Sequence, residues 1–235
     1  TLNKYMKSII LIIGIMVSTI GFAQNEISGF YSIGRVARGI DCNLYLYNNG
    51  NYYIELSEFL SNDIVFAVVL SYGKFSLVNK EVMLVDEIHN FKIRLVVDNK
   101  ALIAKQAFSF LVNKRFIRND YVYMEDYGSY RSDVNPLLVQ KEHKSYNISH
   151  NKLIPLYLGV YEDGQGYKLS IQQNNKYKLE FKDIVLSEGK WCRNTNELEL
   201  KDINLRCSFY LLIDNKKLVS KLLLGDYKSF LLIYK

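Results

Sequence analysis

The 235 residues carry 30 Lys and Arg against 24 Asp and Glu, a formal net charge of +6, and 49% of them are hydrophobic. Basic residues alternate with acids, as in Lys178-Leu179-Glu180 and Lys182-Asp183, which is how a solvated face looks. No basic run of the kind that tracks phosphates is present, so nucleic acid is excluded as a partner.

Residues 1–23 read as an address and not as part of the fold. Lys4 and Lys7 precede an apolar run over 9–17, followed by Ser18-Thr19 and the small-residue site Gly21-Phe22-Ala23, after which Gln24-Asn25-Glu26 turns polar. That is the order of a secretory signal peptide, with Met6 as the natural start and cleavage near Ala23. A secreted or periplasmic location is expected. The stretch 9–23 is shorter than the ~20 apolar residues of a spanning helix. Beyond it the longest apolar run is 64–70, so the mature chain is expected to have no transmembrane span. No cysteine stands at the cleavage point, which argues against lipid attachment there.

The rest of the chain contains its own homologue. Residues 66–102 align without a gap onto 182–218 at an offset of 116, and thirteen of those 37 positions are identical. Chance would give roughly two or three. A second block, 44–56, aligns with 169–181 at an offset of 125. Within both copies strands alternate with period two, as in Tyr52-Tyr53-Ile54-Glu55-Leu56 and Tyr177-Lys178-Leu179-Glu180-Phe181. Asn48-Asn49-Gly50-Asn51, Gln173-Asn174-Asn175, Asp98-Asn99 and Asp214-Asn215 supply the tight turns between strands.

Each copy is predicted to be a roughly eight-stranded antiparallel up-and-down meander, which hides its edges by closing into a small barrel. The alternative is two open sheets or sandwiches packed on each other. The first copy occupies residues 27–124, with about five extra residues around 35–41 and about nine around 57–65. Residues 125–155 hold both prolines and two of the three histidines and read as a linker, with a short helix over 136–144. The second copy occupies 156–235.

Gly189-Lys190-Trp191, and its counterpart Gly73-Lys74-Phe75, resemble the Gly-x-Trp signature of lipocalin-like barrels. The order Gly159 to Tyr161, a hairpin with Tyr177, Gly-x-Trp, then a hairpin ending in Asp214-Asn215 resembles NlpE-type small bacterial envelope barrels. The resemblance implies the fold alone, with the motif in about the fifth strand. Physically, the glycine lets a neighbouring strand approach its backbone, and the large ring fills one end of a narrow barrel.

By alternation Tyr52, Ile54, Phe75, Leu84, Phe91 and Ile93 point inward in the first copy, and Tyr177, Leu179, Trp191, Leu200, Cys207 and Phe209 in the second. If either barrel is hollow, Tyr52, Phe75, Tyr177 and Trp191 would line a site for one small apolar ligand. The outward positions differ between copies. Tyr45, Tyr47, Tyr53, Phe66, Met83 and Val85 correspond to Ser170, Gln172, Lys178, Lys182, Glu199 and Lys201. An apolar outer face in one copy only is covered either by the rest of the chain or by a protein or glycan partner. Cys192 falls opposite Trp191 and Cys207 on the side of Phe209, so a bridge between them is not expected. No nucleophile elbow, phosphate loop or metal-ligand spacing is present, and His143 and His150 lie in the linker. The expectation is a non-enzymatic binding module of the bacterial envelope without cofactor or metal; the alternative is a carrier of a small apolar ligand.

Overall fold

The computed structural model describes residues 26–60, 63–120, 153–220 and 231–235. The signal segment and the helix expected over 136–144 lie outside the described residues. Among the described residues, sixteen strands form two closed antiparallel barrels of eight each. The first consists of β1 (Gly29–Ala37), β2 (Ile40–Leu46), β3 (Asn51–Leu60), β4 (Asp63–Val78), β5 (Glu81–Asp86), β6 (Lys92–Asp98), β7 (Ala101–Gln106) and β8 (Arg115–Asn119). The second consists of β9 (Gly159–Glu162), β10 (Tyr167–Ile171), β11 (Lys176–Phe181), β12 (Ile184–Asn194), β13 (Glu197–Asp202), β14 (Ser208–Asp214), β15 (Lys217–Ser220) and β16 (Leu231–Tyr234). Each strand pairs with the next, and each barrel closes where its first strand meets its last. Tyr31 lies opposite Arg118 in the first barrel, and Tyr161 opposite Tyr234 in the second. Closure leaves no free sheet edge, the reason a meander of this length curls up rather than staying open.

Equivalent residues build both barrels. Asn99, Asn175 and Asn215 take the left-handed conformation that tight hairpins require, as the turn residues predicted. The Gly-x-Tyr of the second copy has an unforeseen counterpart in Gly29-Phe30-Tyr31. Each tyrosine hydroxyl donates to the carbonyl four residues upstream, Tyr31 to Ile27 at 2.7 Å and Tyr161 to Tyr157 at 2.6 Å, pinning the chain as it enters the barrel.

The Gly-x-aromatic motif lies in the fourth strand of each barrel and not the fifth. β12 runs unbroken through Gly189 for 11 residues, because the glycine admits the neighbouring backbone without ending the strand. A Cβ on Gly73 would sit 2.1 Å from the Val85 carbonyl oxygen, and one on Gly189 2.0 Å from that of Lys201. The aromatic two residues on binds the β2–β3 or β10–β11 turn: the Phe75 amide donates to Gly50 O, and the Trp191 amide to Asn175 O, both at 2.8 Å. Trp191 Nε1 adds a bond to Gln172 O at 2.9 Å, which places the half-buried indole at that end of the barrel.

The extra residues of the first copy lengthen its strands. β3 and β4 are 10 and 16 residues long, against 6 and 11 for β11 and β12. The longer hairpin reaches the second barrel, where Glu58 pairs with Lys182 at 2.8 Å. Leu44, Ile54, Leu84, Ile93 and Leu95 fill the first barrel, and Leu169, Leu179, Leu200, Leu211 and Ile213 the second, in one continuous core. Residues 153–158 attach to the second barrel: Ile154 is buried, its amide donating to Asn196 Oδ1 at 2.8 Å and its carbonyl accepting from Arg193.

Candidate functional site

Three places concentrate polar chemistry or unusual surface. The first occurs twice. Ser71 Oγ donates to Asp86 Oδ2 at 2.7 Å, so the Tyr52 hydroxyl, 2.7 Å from the same oxygen, is the donor to serine. The other carboxylate oxygen of Asp86 accepts from the amides of Ile88 at 3.0 Å and His89 at 2.7 Å. In the second barrel Tyr177, Ser187 and Asp202 repeat the chain at 2.7 and 2.5 Å, and Asp202 Oδ1 accepts from Asn204 and Leu205 at 2.7 and 2.6 Å. Burial raises the Asp202 carboxyl above its ordinary range, while the serine and the turn amides pull it back down. The Tyr52 and Tyr177 hydroxyls are held far above theirs by the same burial, which keeps them donors. Ser71 and Ser187 are wholly inaccessible, and His89 meets Asp86 through its backbone amide. This arrangement ties a strand pair to the turn that follows it and presents no nucleophile.

Sequence reasoning placed Tyr52 and Tyr177 inward but missed their serine and aspartate partners. The signal was there: Ser71 and Ser187, and Asp86 and Asp202, are among the thirteen identities between the copies.

The second place is where the barrels meet. His89 in the β5–β6 turn stacks on Phe91 at 6.2 Å and meets Phe209 of β14 edge to face at 5.4 Å. Phe91 also touches Phe209 at 6.5 Å and Phe108 at 5.7 Å. Asn204 Nδ2 donates to Ser109 Oγ at 2.9 Å and Gln106 Nε2 to the Leu205 carbonyl at 3.2 Å. Cys207 stands half-buried between Asp202 and Asp86, and burial first, then those two carboxylates, push its thiol up to about 12. Cys192, by contrast, is exposed on the outer face, and its thiol meets Glu199 at 3.0 Å. Cys42 is buried in the first core.

The third place is the outer face of the first barrel. Strand register lines up Phe30, Tyr45, Tyr53 and Tyr72 across four adjacent strands. Tyr45 and Tyr53 stack with centroids 4.2 Å apart, Phe30 tilts against Tyr45 at 4.9 Å, and Tyr47 against Tyr53 at 5.8 Å. The same register in the second barrel reads Val160, Ser170, Lys178 and Glu188. Beside the aromatic row, Asn43 donates to Ser57 at 3.0 Å and the Tyr45 hydroxyl to Glu55 at 3.0 Å. All four of these residues are buried within the chain, so β2 and β3 bury both faces.

The structure places the anticipated ligand-lining residues apart. Tyr52 and Phe75 pack in the first core and Tyr177 in the second, each under 5% exposed, while Trp191 sits at the end of the second barrel. Of the outer-face residues, Tyr45 is only 1% exposed, whereas Tyr47, Tyr53, Met83 and Val85 are half-buried. Phe66 lies opposite Glu58 in β4, its side chain outside the described residues. Register adds Phe30 and Tyr72, which alternation alone did not single out. An open polar cleft of about 240 Å³ at the mouth of the second barrel is lined by Glu162, Lys168, Glu180, Lys182 and Asp183. Three of these five charges are already paired: Glu162 with Lys235, Glu180 with Lys178, and Lys182 with Glu58.

No family model matches the chain, and no curated protein matches its sequence. Among solved structures it is similar to the crystal structure of the Cpx pathway activator NlpE from Escherichia coli. That likeness has 10% identity over 82% of each chain and a TM-score of 0.24. It is of the same type as the resemblance read from Gly-x-Tyr and Gly-x-Trp, and at that TM-score it carries no argument about function.

Proposed function

We propose that the protein is a non-enzymatic binding module of the bacterial envelope, secreted or periplasmic after loss of residues 1–23, which meets a protein partner through the outer face of its first barrel. The observation that supports this reading is the four-strand row Phe30, Tyr45, Tyr53, Tyr72, set against Val160, Ser170, Lys178 and Glu188 at the same register of the other copy. Two barrels that keep the same internal clamps yet carry aromatic residues along this row in one copy and mostly polar ones in the other have been held to different demands on their outside. The rim of the row, Tyr47, Tyr53 and Tyr72 with Met83 and Val85, is half-buried and retains surface to offer. A protein fits better than a glycan. A sugar stacks on an open ring face, whereas Tyr45 and Tyr53 stack on each other, Phe30 and Tyr47 tilt against them, and the Tyr45 hydroxyl is bonded to Glu55.

Tyr47→Lys with Val85→Lys is expected to shift the thermal midpoint by no more than about 5 °C while weakening partner capture at least tenfold. A photo-crosslinking residue at position 47, in cells secreting the chain, identifies the partner as a single adduct. A fall of midpoint well beyond that limit would mean that the face only packs internally. The carrier reading is separated by native mass spectrometry of residues 24–235 prepared without detergent. The module reading expects the bare mass; an excess of a few hundred daltons lost on solvent extraction overturns it.

A further inference from the structure

The junction between the barrels contains a titratable group that nothing else in the fold uses. His89 Nε2 is buried and has no hydrogen-bond partner among the described residues, while its ring lies between Phe91 of its own barrel and Phe209 of the other. An imidazole there packs well while neutral. An imidazolium would bury a charge with its Nε2 proton unsatisfied, a desolvation cost that contact with the two phenyl rings offsets only in part, and separation of the barrels would return that proton to water.

We propose that His89 is an acid-released latch between the two barrels, holding them together while neutral and letting them part when its imidazole takes a second proton. The groups around it leave this balance intact. Asp86, on its own turn, is the one carboxylate close enough to favour the imidazolium, and its oxygens are already bonded to Ser71 and to the Ile88 and His89 amides. Across the junction, Asp202 is bonded to Ser187 and its own turn, and Cys207 is a neutral thiol. The segment behind Phe91, residues 107–111, has no titratable side chain, and Lys92, Glu87 and Arg206 are exposed. Burial accordingly lowers the imidazole's affinity for a proton, with Asp86 opposing.

The sign follows from a docked pKa below the ordinary value. Docking is fully stable above the free histidine's pKa of about 6.5 and weakens as pH falls from there through the docked value. In that window the ratio of parted to docked molecules rises as pH falls, by at most about tenfold per pH unit for one histidine.

The test is small-angle scattering of the full chain from pH 8 to 5, a range in which most carboxylates stay ionised, with far-UV circular dichroism alongside. The expected result is a reversible increase in radius of gyration below pH 6.5 with strand content unchanged, abolished in His89→Phe. Constant dimensions across the range would overturn the proposal. So would an equal expansion in His89→Phe, which retains His143 and His150 and would implicate them. If His89→Phe loses strand content at pH 8, His89→Gln replaces it under the same two criteria.

Discussion

Gly189→Ala is expected to destabilise the second barrel by roughly 3–5 kcal/mol, enough to unfold a domain of ordinary stability. The new Cβ would lie 2.0 Å from the Lys201 carbonyl oxygen and 3.3 Å from the Ile203 amide nitrogen. Both are backbone atoms held by pairing of β12 with β13 and by the 3.1 Å bond from the Ile203 amide to Glu188 O. No side chain can swing aside, so the strands must separate at that point. Their separation also pulls the β13–β14 turn off the Asp202 clamp. Gly164→Ala is the control, since that residue has a φ of +75° and nothing within 4 Å of the added carbon. It isolates the strain of the left-handed conformation, about 1 kcal/mol. The sole tryptophan, Trp191, lies two residues from Gly189, so urea titration followed by its fluorescence reads the second barrel directly. Gly73→Ala should do equal damage to the first barrel, where the Val85 carbonyl oxygen would be 2.1 Å away, with little change in the tryptophan signal.

That glycine was legible in the sequence because its reason is local: a gap in side chains at the same place in both copies, next to a large ring. The duplication and the hairpin turns were legible for a similar reason, since both repeat or alternate along the chain. The serine–aspartate clamp was equally present in the identities between the copies. Alternation, however, assigns inward positions to apolar side chains, so a buried polar pair such as Ser71 and Asp86 falls outside what that pattern picks out. The aromatic row was half legible. Tyr45 and Tyr53 follow from alternation, but Phe30 and Tyr72 join them only through register across β1 to β4, which period-two patterns do not specify. The junction was not legible at all. His89 aligns with Leu205 and Phe91 with Cys207, so no internal repetition marks them, and their contact with Phe209 depends on which barrel ends face each other.

Asp202→Ala should cost about 3–5 kcal/mol, whereas Asp202→Asn should cost about 1 kcal/mol. Alanine removes the acceptor for Ser187 and for the Asn204 and Leu205 amides at once, leaving three donors in a site 4% exposed. Asparagine keeps an acceptor oxygen for the two amides and turns its amide group to Ser187, so that one hydroxyl proton of the Tyr177–Ser187 pair loses its acceptor, the source of the smaller cost. The pH dependence has a definite sign. Because burial raises the Asp202 carboxyl above its ordinary value, the folded protein holds the proton more tightly than the unfolded chain. This residue's contribution is therefore most favourable below the unfolded carboxylate range, near pH 4. It declines as pH rises through the folded value and is flat above it. Asp202→Asn removes that slope. Urea midpoints of the two variants and the parent, read by Trp191 fluorescence between pH 3.5 and 7.5, test both statements. If Asn is as damaging as Ala, the carboxylate charge itself holds the turn. If Ala is as mild as Asn, the clamp contributes little, and the recurrence of Tyr, Ser and Asp in both barrels is left without an energetic cause.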